Sequence, residues 1–547
     1  MARASSSVLR GSWSRPGGFA TLVALGALLV LGLGVIARAG GPTSTRPDTT
    51  VAEEPGTLPS EPDRVPDGVP ESGPEVIWDG AHGILLGAGV VEGVLAFRGN
   101  ATRTAYGVGP VPTTPAVLWR YPERPMCSTE PAASGGAAAA DAATGEAVTP
   151  SLDGGVAEGK RWCGIGWTGQ PLLRELPDGR TEVIVGAYDG AVHFVDAATG
   201  LATREPFRTG QMVKGTEALD PDGFPLLYVG SRDGFLRVVA LDREVPTELW
   251  RLGRHPQGVW NDDWDANPIV LDDVLHAAGE DSWFRMVRLG RAYGPDGLVT
   301  VDPRVLVEVP AFDDALMAAT GDRNVSIESS PAVTEDRVYW VNSGGRVMGI
   351  DRLAALSGEV RIVLDVWLGD DADASIVVDR DGALYVALED ERGLDRAREV
   401  GQLVKLDPER PDDPIVWGVA VPPRDDLPGD AGGIWATPAI HGDHLYVTTH
   451  PGDLLVVDRR DGRIVHRERI GHHEWSSPAV VADPDGALRL VVGTCADPGI
   501  SVHGLADPTS PRMLGRVPLP GCIESTPIVW KGRIYVGSRD GFLYALG

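Results

Sequence analysis

Lysine is nearly absent: four residues (Lys160, Lys214, Lys405, Lys531) stand among 49 basic side chains. Acid is absent before Asp48, where the charges are Arg3, Arg10, Arg15, Arg38 and Arg46. All 77 acidic residues lie in the body of the chain and set the net charge at −28, so that body repels phosphate backbones and nucleic acid is excluded as a partner. There are 9 Phe and 10 Tyr in 547 residues. No Gly-x-Ser-x-Gly elbow, phosphate-binding loop, Cys-x-x-Cys-His haem site or adjacent Cys-Cys pair occurs. What is abundant is Gly (70) and Pro (44), alongside 43% apolar residues. That mixture is too apolar for disorder and too rich in breakers for a helical bundle, so it predicts many short strands joined by tight turns.

The longest uncharged run, residues 17–37, is long enough to span a bilayer as a helix, and the three Arg before it favour a cytoplasmic N-terminus at 1–16. The expectation is a single-pass anchor with the rest of the chain outside the cytoplasm. Ala37-Arg38-Ala39 also fits a signal-peptide cleavage site, in which case the protein is secreted. Residues 38–75, rich in Pro, Thr, Ser, Glu and Asp, cannot bury a core and read as a disordered linker. The globular region is then 76–547, interrupted by a low-complexity insertion at 131–160. The Arg-over-Lys bias resembles that of proteins from high-GC bacteria such as actinobacteria.

Within 76–547 one pattern repeats. It reads Val-Ile-Val-Gly-Ala-Tyr-Asp-Gly-Ala-Val-His-Phe-Val-Asp at 183–196 and Leu-Tyr-Val-Gly-Ser-Arg-Asp-Gly-Phe-Leu-Arg-Val-Val-Ala-Leu-Asp at 227–242. It recurs as Leu-Val-Val-Gly-Thr-Cys at 490–495 and Ile-Tyr-Val-Gly-Ser-Arg-Asp-Gly-Phe-Leu-Tyr-Ala-Leu at 534–546. Each copy is an apolar strand, an Asp-Gly type two-residue turn and a second strand. Upstream lies a strand opening with Pro, as in Ser-Ser-Pro-Ala-Val (329–333 and 476–480), Ala-Thr-Pro-Ala-Ile (436–440) and Ser-Thr-Pro-Ile-Val (525–529). Downstream lies an outer strand that carries Trp250, Trp367 or Trp417. Four strands per repeat, with inner strands beginning near 167, 213, 265, 328, 373, 435, 475 and 524, predict an all-β, eight-bladed propeller. The eighth repeat ends after three strands, and Val117-Leu-Trp-Arg-Tyr can supply its fourth and close the ring.

These repeats resemble the PQQ-like propeller family, whose blades read close to Tyr-Val-Gly-Ser-x-Asp-Gly-x-Leu-Tyr-Ala-Leu-Asp. Phe97-Arg98-Gly99-Asn100-Ala101-Thr102-Arg103-Thr104 is similar to the segment before the closing strand in such proteins. The resemblance spans roughly 95–547 and is faintest in blades 3 to 5. It implies the propeller fold and leaves activity open, because the family holds quinoprotein dehydrogenases as well as non-enzymatic scaffolds of outer-membrane protein assembly.

The residue three before each repeat Pro, or its estimated equivalent, should face the channel mouth: Thr168, Met212, Asp265, Glu328, Asp371, Trp435, Trp475 and Glu524. Asp262, Asp263 and Lys214 lie close in sequence to this set. Carboxylates with two Trp could coordinate a hard cation and stack a planar ligand. The quinoprotein reading makes Asp265 and Glu328 catalytic, with PQQ and Ca²⁺ as cofactors and an alcohol or sugar as substrate. The favoured reading has no cofactor and no catalysis: acids and Trp hydrate the mouth and pack between blades of a binding or scaffold module that is tethered to the membrane and serves a protein or cell-envelope partner. The Asp-x-Asp-Gly stretches at 220–223, 379–382 and 483–486 read as turns, since none has the Glu of a calcium loop. The six His of blade 6 (His441, His444, His450, His466, His472, His473) lack a metal-ligand spacing. Four Cys in an exported chain imply two disulfides, with Cys127–Cys163 and Cys495–Cys522 the favoured pairing.

Overall fold

The computed structural model describes residues 91–129, 161–426 and 431–547. The expected N-terminal segment 1–16, the apolar run 17–37, the linker 38–75 and the insertion 131–160 lie outside the described residues. No helix among the described residues is long and apolar enough to cross a membrane.

Eight antiparallel sheets form eight blades. Their inner strands are Leu172–Glu175, Ala218–Leu219, Ile269–Leu271, Ala332–Val333, Val377–Val378, Ala439–His441, Ala479–Ala482 and Ile528–Trp530, for blades 1 to 8 in order. The second and third strands carry the repeat and are buried on both faces, as at Leu226–Ser231 and Phe235–Ala240 of blade 2. Each blade is sandwiched between two others, so these strands are continuous apolar runs rather than alternating ones. Outer strands such as Thr247–Gly253 lie at the rim and are mostly half-exposed. The expected two-residue hairpin turn is a three-residue loop instead: Ala187 pairs with Ala191 and Ser231 with Phe235. Gly190 and Gly234 occupy the left-handed position that this longer loop requires (φ 76° and 89°).

The repeated Val-Gly glycine marks the closest approach of one blade to the next. A Cβ at Gly230 would lie 2.4 Å from the Trp264 carbonyl oxygen of blade 3, and one at Gly493 2.6 Å from Ile523 Cγ2 of blade 8.

The ring closes as expected. Val117–Tyr121 pairs antiparallel with Leu543–Leu546 and completes blade 8. The preceding segment is placed where the repeat pattern gave no guidance. Residues 93–111 fill one end of the central channel and touch every blade. Gly93–Val94 pairs with the inner strand of blade 1, and Gly107–Val108 runs parallel to that of blade 8. Backbone bonds join Leu95 to Leu219, Ala101 to Val333 and Thr102 to Val378 in blades 2, 4 and 5. The Tyr106 hydroxyl accepts from Ile440 N–H in blade 6, and Val111 N–H donates to Asp483 in blade 7. Two fully buried guanidinium groups complete the plug: Arg98 donates to the carbonyls of Pro478 and Pro438, and Arg103 to those of Pro331, Asn267 and Phe97.

The Ser/Thr before the repeat Pro has a defined task. Around the channel, Gln170 N–H donates to Thr216 Oγ1 of the next blade (2.7 Å) and Thr216 N–H to Asn267 Oδ1. The chain of bonds continues from Asn267 to Ser330 (3.0 Å), Ser330 to Ser375 (3.0 Å), Ser375 to Thr437 (3.0 Å) and Thr437 to Ser477 (2.9 Å), each a backbone N–H to a side-chain oxygen. Thr526 N–H donates to the Gly169 carbonyl and joins blade 8 to blade 1. Buried backbone groups at the narrowest point of the ring are thereby satisfied from the neighbouring blade.

Three short helices interrupt the strands. One of them, Asp314–Thr320, lies between blades 3 and 4 and has Asp313 as its N-cap, accepting from Leu316 N–H. Cys127–Cys163 and Cys495–Cys522 are the two disulfides, in the expected pairing. The Asp-x-Asp-Gly stretches at 220–223 and 379–382 are turns whose first Asp bonds across to an arginine: Asp220 to Arg291 (2.6 Å) and Asp379 to Arg459 (2.6 Å).

Candidate functional site

With one end of the channel filled, the other opens into a cavity of about 1370 Å3, at the ends of the blades where the inner strands begin. The helix Asp314–Thr320 contributes to its wall through Asp314, Met317 and Ala318.

The girdle of backbone bonds sets the register of the mouth. Counting two residues back from each girdle residue gives Thr168, Lys214, Asp265, Glu328, Asp373, Trp435, Trp475 and Glu524. Six of these match the sequence expectation. Blades 2 and 5 have Glu217 and Ile376 where the others have Pro, and there the equivalents are Lys214 and Asp373 rather than Met212 and Asp371. Met212 and Asp371 sit two residues further out.

In blades 2, 3, 4, 5 and 8 a second repeated contact adds a side chain to the mouth position. The N–H of the first or second residue past the second strand donates to the carbonyl two residues before the mouth residue. These bonds are Arg232 to Met212 (2.9 Å), Glu280 to Asp263 (3.0 Å), Ser343 to Ser326 (2.7 Å), Glu389 to Asp371 (2.9 Å) and Arg539 to Cys522 (3.0 Å). Each of these five blades thus offers three side chains at the mouth. Blade 3 offers Asp263, Asp265 and Glu280; blade 5 offers Asp371, Asp373 and Glu389. In each triad the carboxylate oxygens lie within 4.8 Å of one another.

Blade 2 delivers cations to the blade 3 triad. Lys214 Nζ lies 2.6 Å from Asp265, 3.5 Å from Asp263 and 3.7 Å from Glu280, and Arg232 lies 3.2 Å from Asp263. Burial alone would lower the Lys214 ammonium, but Asp265, Glu280, Asp263 and Glu328 outweigh it and hold its pKa well above the ordinary lysine value. Among the acids burial prevails, and mutual repulsion adds to it. Asp263 is pushed up to about 7, and Glu280, Glu328, Asp373 and Glu389 are all raised well above the usual carboxylate range. Glu391, on the cavity wall, is raised to about 8 by burial and by Asp371. Asp262 stands exposed at the rim.

Glu524 belongs to a different environment. Arg539 lies 2.6 Å from it and His473 3.4 Å, and against the opposing effect of burial they pull its pKa down to about 2. Trp435 and Trp475 stack on each other (5.3 Å between centroids, 13° between planes). His473 stacks on Trp475 at 3.8 Å, Trp167 meets it edge-on, and Trp475 Nε1 donates to His450 Nδ1 at 2.7 Å. Trp435 and Trp475 retain 3% and 5% exposure: Trp475 is stacked between Trp435 and His473, while Trp435, packed against Trp475 and His450, keeps a place in the cavity wall. Trp167 and Trp260 are half-buried residues of the cavity lining.

Glu280, Asp373, Glu389, Glu391, Arg232, Arg392 and Arg539 were not singled out from the sequence. Two signals point to three of them: the Asp-x-Asp spacing of 263/265 recurs at 371/373, and Arg232 and Arg539 are the Arg of the repeated Ser-Arg-Asp-Gly.

The strand topology defines an eight-bladed β-propeller with one plugged and one open channel end. No protein-family model and no curated protein matches the chain. Among solved structures it is similar to BamB from Moraxella catarrhalis (12% identity, TM-score 0.35, covering 67% of this chain and 81% of that one). It is also similar to the computationally designed Ika8 protein (12%, 0.41, 70% and 98%) and to quinohemoprotein alcohol dehydrogenase from Comamonas testosteroni (11%, 0.49, 83% and 80%). These likenesses are distant, and the fold rests on the sheet topology itself.

Proposed function

We propose that the chain is an extracytoplasmic propeller that works as a non-catalytic binding or scaffold module, held at the membrane through residues 17–37 and the linker 38–75. Its partner is a protein or cell-envelope component that meets the acidic mouth. The packing of Trp435, Trp475 and His473 carries this reading. The two Trp that the family resemblance offers as a platform are stacked on each other and almost wholly buried, so a planar quinone finds little of either ring to lie on, although Trp435 reaches the cavity wall. The residues present therefore do not fit PQQ at that place. The two disulfides support an oxidising compartment. The plug supports a single binding face, because residues 93–111 occupy the other end.

One observation favours the competing quinoprotein dehydrogenase reading. Asp265 Oδ1 is buried without a hydrogen-bond partner beside Lys214, as a general base awaiting substrate would be. The deciding experiment incubates the full chain with PQQ and Ca²⁺, then follows quinone absorbance and dye reduction over a panel of alcohols and sugars. The expected result is no retained quinone and no turnover. Turnover that is lost in Asp265→Ala or Glu328→Ala would overturn the binding-module reading.

A further inference from the structure

The carboxylate triads of blades 3 and 5 are the same construction, placed two blades apart, with different neighbours. In each, two acids two residues apart lead into the inner strand, and a Glu after the second strand is tied back to the first acid by its own N–H. The blade 3 triad receives the Lys214 ammonium at 2.6 Å, with Arg232 behind it, both from blade 2. The blade 5 triad is preceded by blade 4, which offers Ser326, Glu328 and Ser343 at the corresponding positions and no cation. A further carboxylate, Glu391, stands on the same wall. Among the described residues the cation beside the triad is Arg392, which lies 3.2 Å from Asp371 Oδ2 and 3.5 Å from Asp370 and so engages the outer edge of the group. Asp371 Oδ1 accepts from Ala372 N–H.

An acidic cluster alone would mean little. The second observation is Glu389: it is 2% exposed, its carboxylate belongs to the triad, and its Oε1 has no hydrogen-bond partner. A buried carboxylate oxygen left without a donor is costly, and the cost is removed if a cation takes the position that Lys214 fills in blade 3. The spacing fits: oxygen ligands at about 2.4 Å on opposite sides of a calcium-sized ion are about 4.8 Å apart, and the three carboxylates offer oxygens within 4.8 Å of one another.

We propose that Asp371, Asp373 and Glu389 of blade 5 bind a divalent, oxygen-preferring cation of the calcium class, without any quinone, as the exchangeable counterpart of the Lys214 ammonium in blade 3. All three protein ligands come from one blade. The remaining coordination positions face the cavity and are open to water or to an oxygen of a ligand in the mouth. The site does not depend on the binding-module reading, since its test contains neither PQQ nor substrate.

The test uses the full chain, stripped with chelator and titrated with Ca²⁺ alone by calorimetry, with Tb³⁺ luminescence sensitised through tryptophan as a second readout. One ion should bind per chain. Glu389→Gln and Asp373→Asn should each weaken binding by roughly 10-fold or more, as loss of an anionic oxygen ligand does. Asp461→Asn, a charge-matched change at an exposed position, should leave it within about 2-fold, as expected of a screened surface charge. Near-UV circular dichroism establishes that each variant is folded. The Ca²⁺-induced rise in melting temperature, expected in the native chain and absent in Asp373→Asn, provides an independent measure. Absence of binding at millimolar Ca²⁺ would overturn the proposal, as would equal weakening in Asp461→Asn or unchanged binding in both triad variants.

Discussion

Arg98 donates from Nη1 to the carbonyl oxygen of Pro478 at 2.7 Å, across 380 residues of sequence, while its Nη2 reaches Pro438 at 2.9 Å in the adjacent blade. A single fully buried guanidinium thus joins blades 6 and 7 to the plug, with the Tyr106 ring 4.2 Å away. Replacing it with Met leaves two buried carbonyls unsatisfied. Arg98→Met should lower unfolding stability by about 2–4 kcal/mol in a denaturant titration. Arg98→Lys should recover only part of the loss, because one ammonium cannot reproduce the planar fork that serves two carbonyls.

Lys214 is the counter-charge of the blade 3 triad, so Lys214→Met should expose three buried acids to one another. The expected loss is about 3–5 kcal/mol at pH 8, as for other buried pairs broken on one side. Millimolar Ca²⁺ should restore part of it by entering the vacated position. Denaturant titrations with and without Ca²⁺ check both effects.

Stability should depend on pH with a sign opposite to that of ordinary ion-paired acids. Asp263 is raised to about 7 and Glu391 to about 8, and Glu280, Glu328, Asp373 and Glu389 move in the same direction. Unfolded carboxyls titrate near pH 4. Between these limits the folded chain holds protons that the unfolded chain has released, so stability present at the acid end is lost as pH rises through the folded values. The metal-free protein should melt at a lower temperature at about pH 8 than at about pH 5, in proportion to the protons retained. Glu524 works in the reverse sense, its contribution present above about pH 4 and lost as pH falls toward 2. Differential scanning calorimetry across this range reads the slope directly.

Two outer-strand Trp residues, Trp119 and Trp417, bolt blades together at the turns of the next blade. Trp417 Nε1 donates to the Arg459 carbonyl at 3.2 Å, and its ring lies over Gly462, where a Cβ would come within 2.8 Å. Gly462 also has φ 74°. Gly462→Ala should cost about 1–3 kcal/mol from strain and overpacking combined, with little effect in a Trp417→Ala background beyond the conformational part. A double-mutant cycle separates the two.

The Cys495–Cys522 bridge closes 27 residues across the junction of blades 7 and 8. On the chain-entropy account a loop of that length is worth about 3.5 kcal/mol. The paired change Cys495→Ala with Cys522→Ala should lower stability by that order, measured in denaturant under oxidising conditions.

Much of the fold was legible because each blade repeats its solutions. The Val-Gly steps, the Pro-led inner strands and the strand around Trp119 gave eight blades and their closure. Blades 2 and 5 misled the reading of the mouth: with Glu217 and Ile376 in place of Pro, the register could only be estimated, and the estimate stopped two residues short of Lys214 and Asp373. The function of the Ser/Thr before Pro was hidden for another reason, since its partner is a backbone N–H about 40 to 60 residues away in the preceding blade. Arg98 and Arg103 looked like part of a lead-in, and no local pattern says that a charged segment will be drawn into the axis of a ring. Glu280 and Glu389 fall where blades 2 and 8 carry Arg232 and Arg539, and only superposed repeats would show that exchange.

A row of repeats that touch only their neighbours can lose end units one at a time. The segment 93–111 removes that freedom here, because it has a contact in each of the eight blades and can dock only once all of them are in place. Its binding therefore converts a chain of pairwise junctions into a single cooperative unit, one that should melt in one transition and fold slowly, since its decisive contacts join residues hundreds of positions apart.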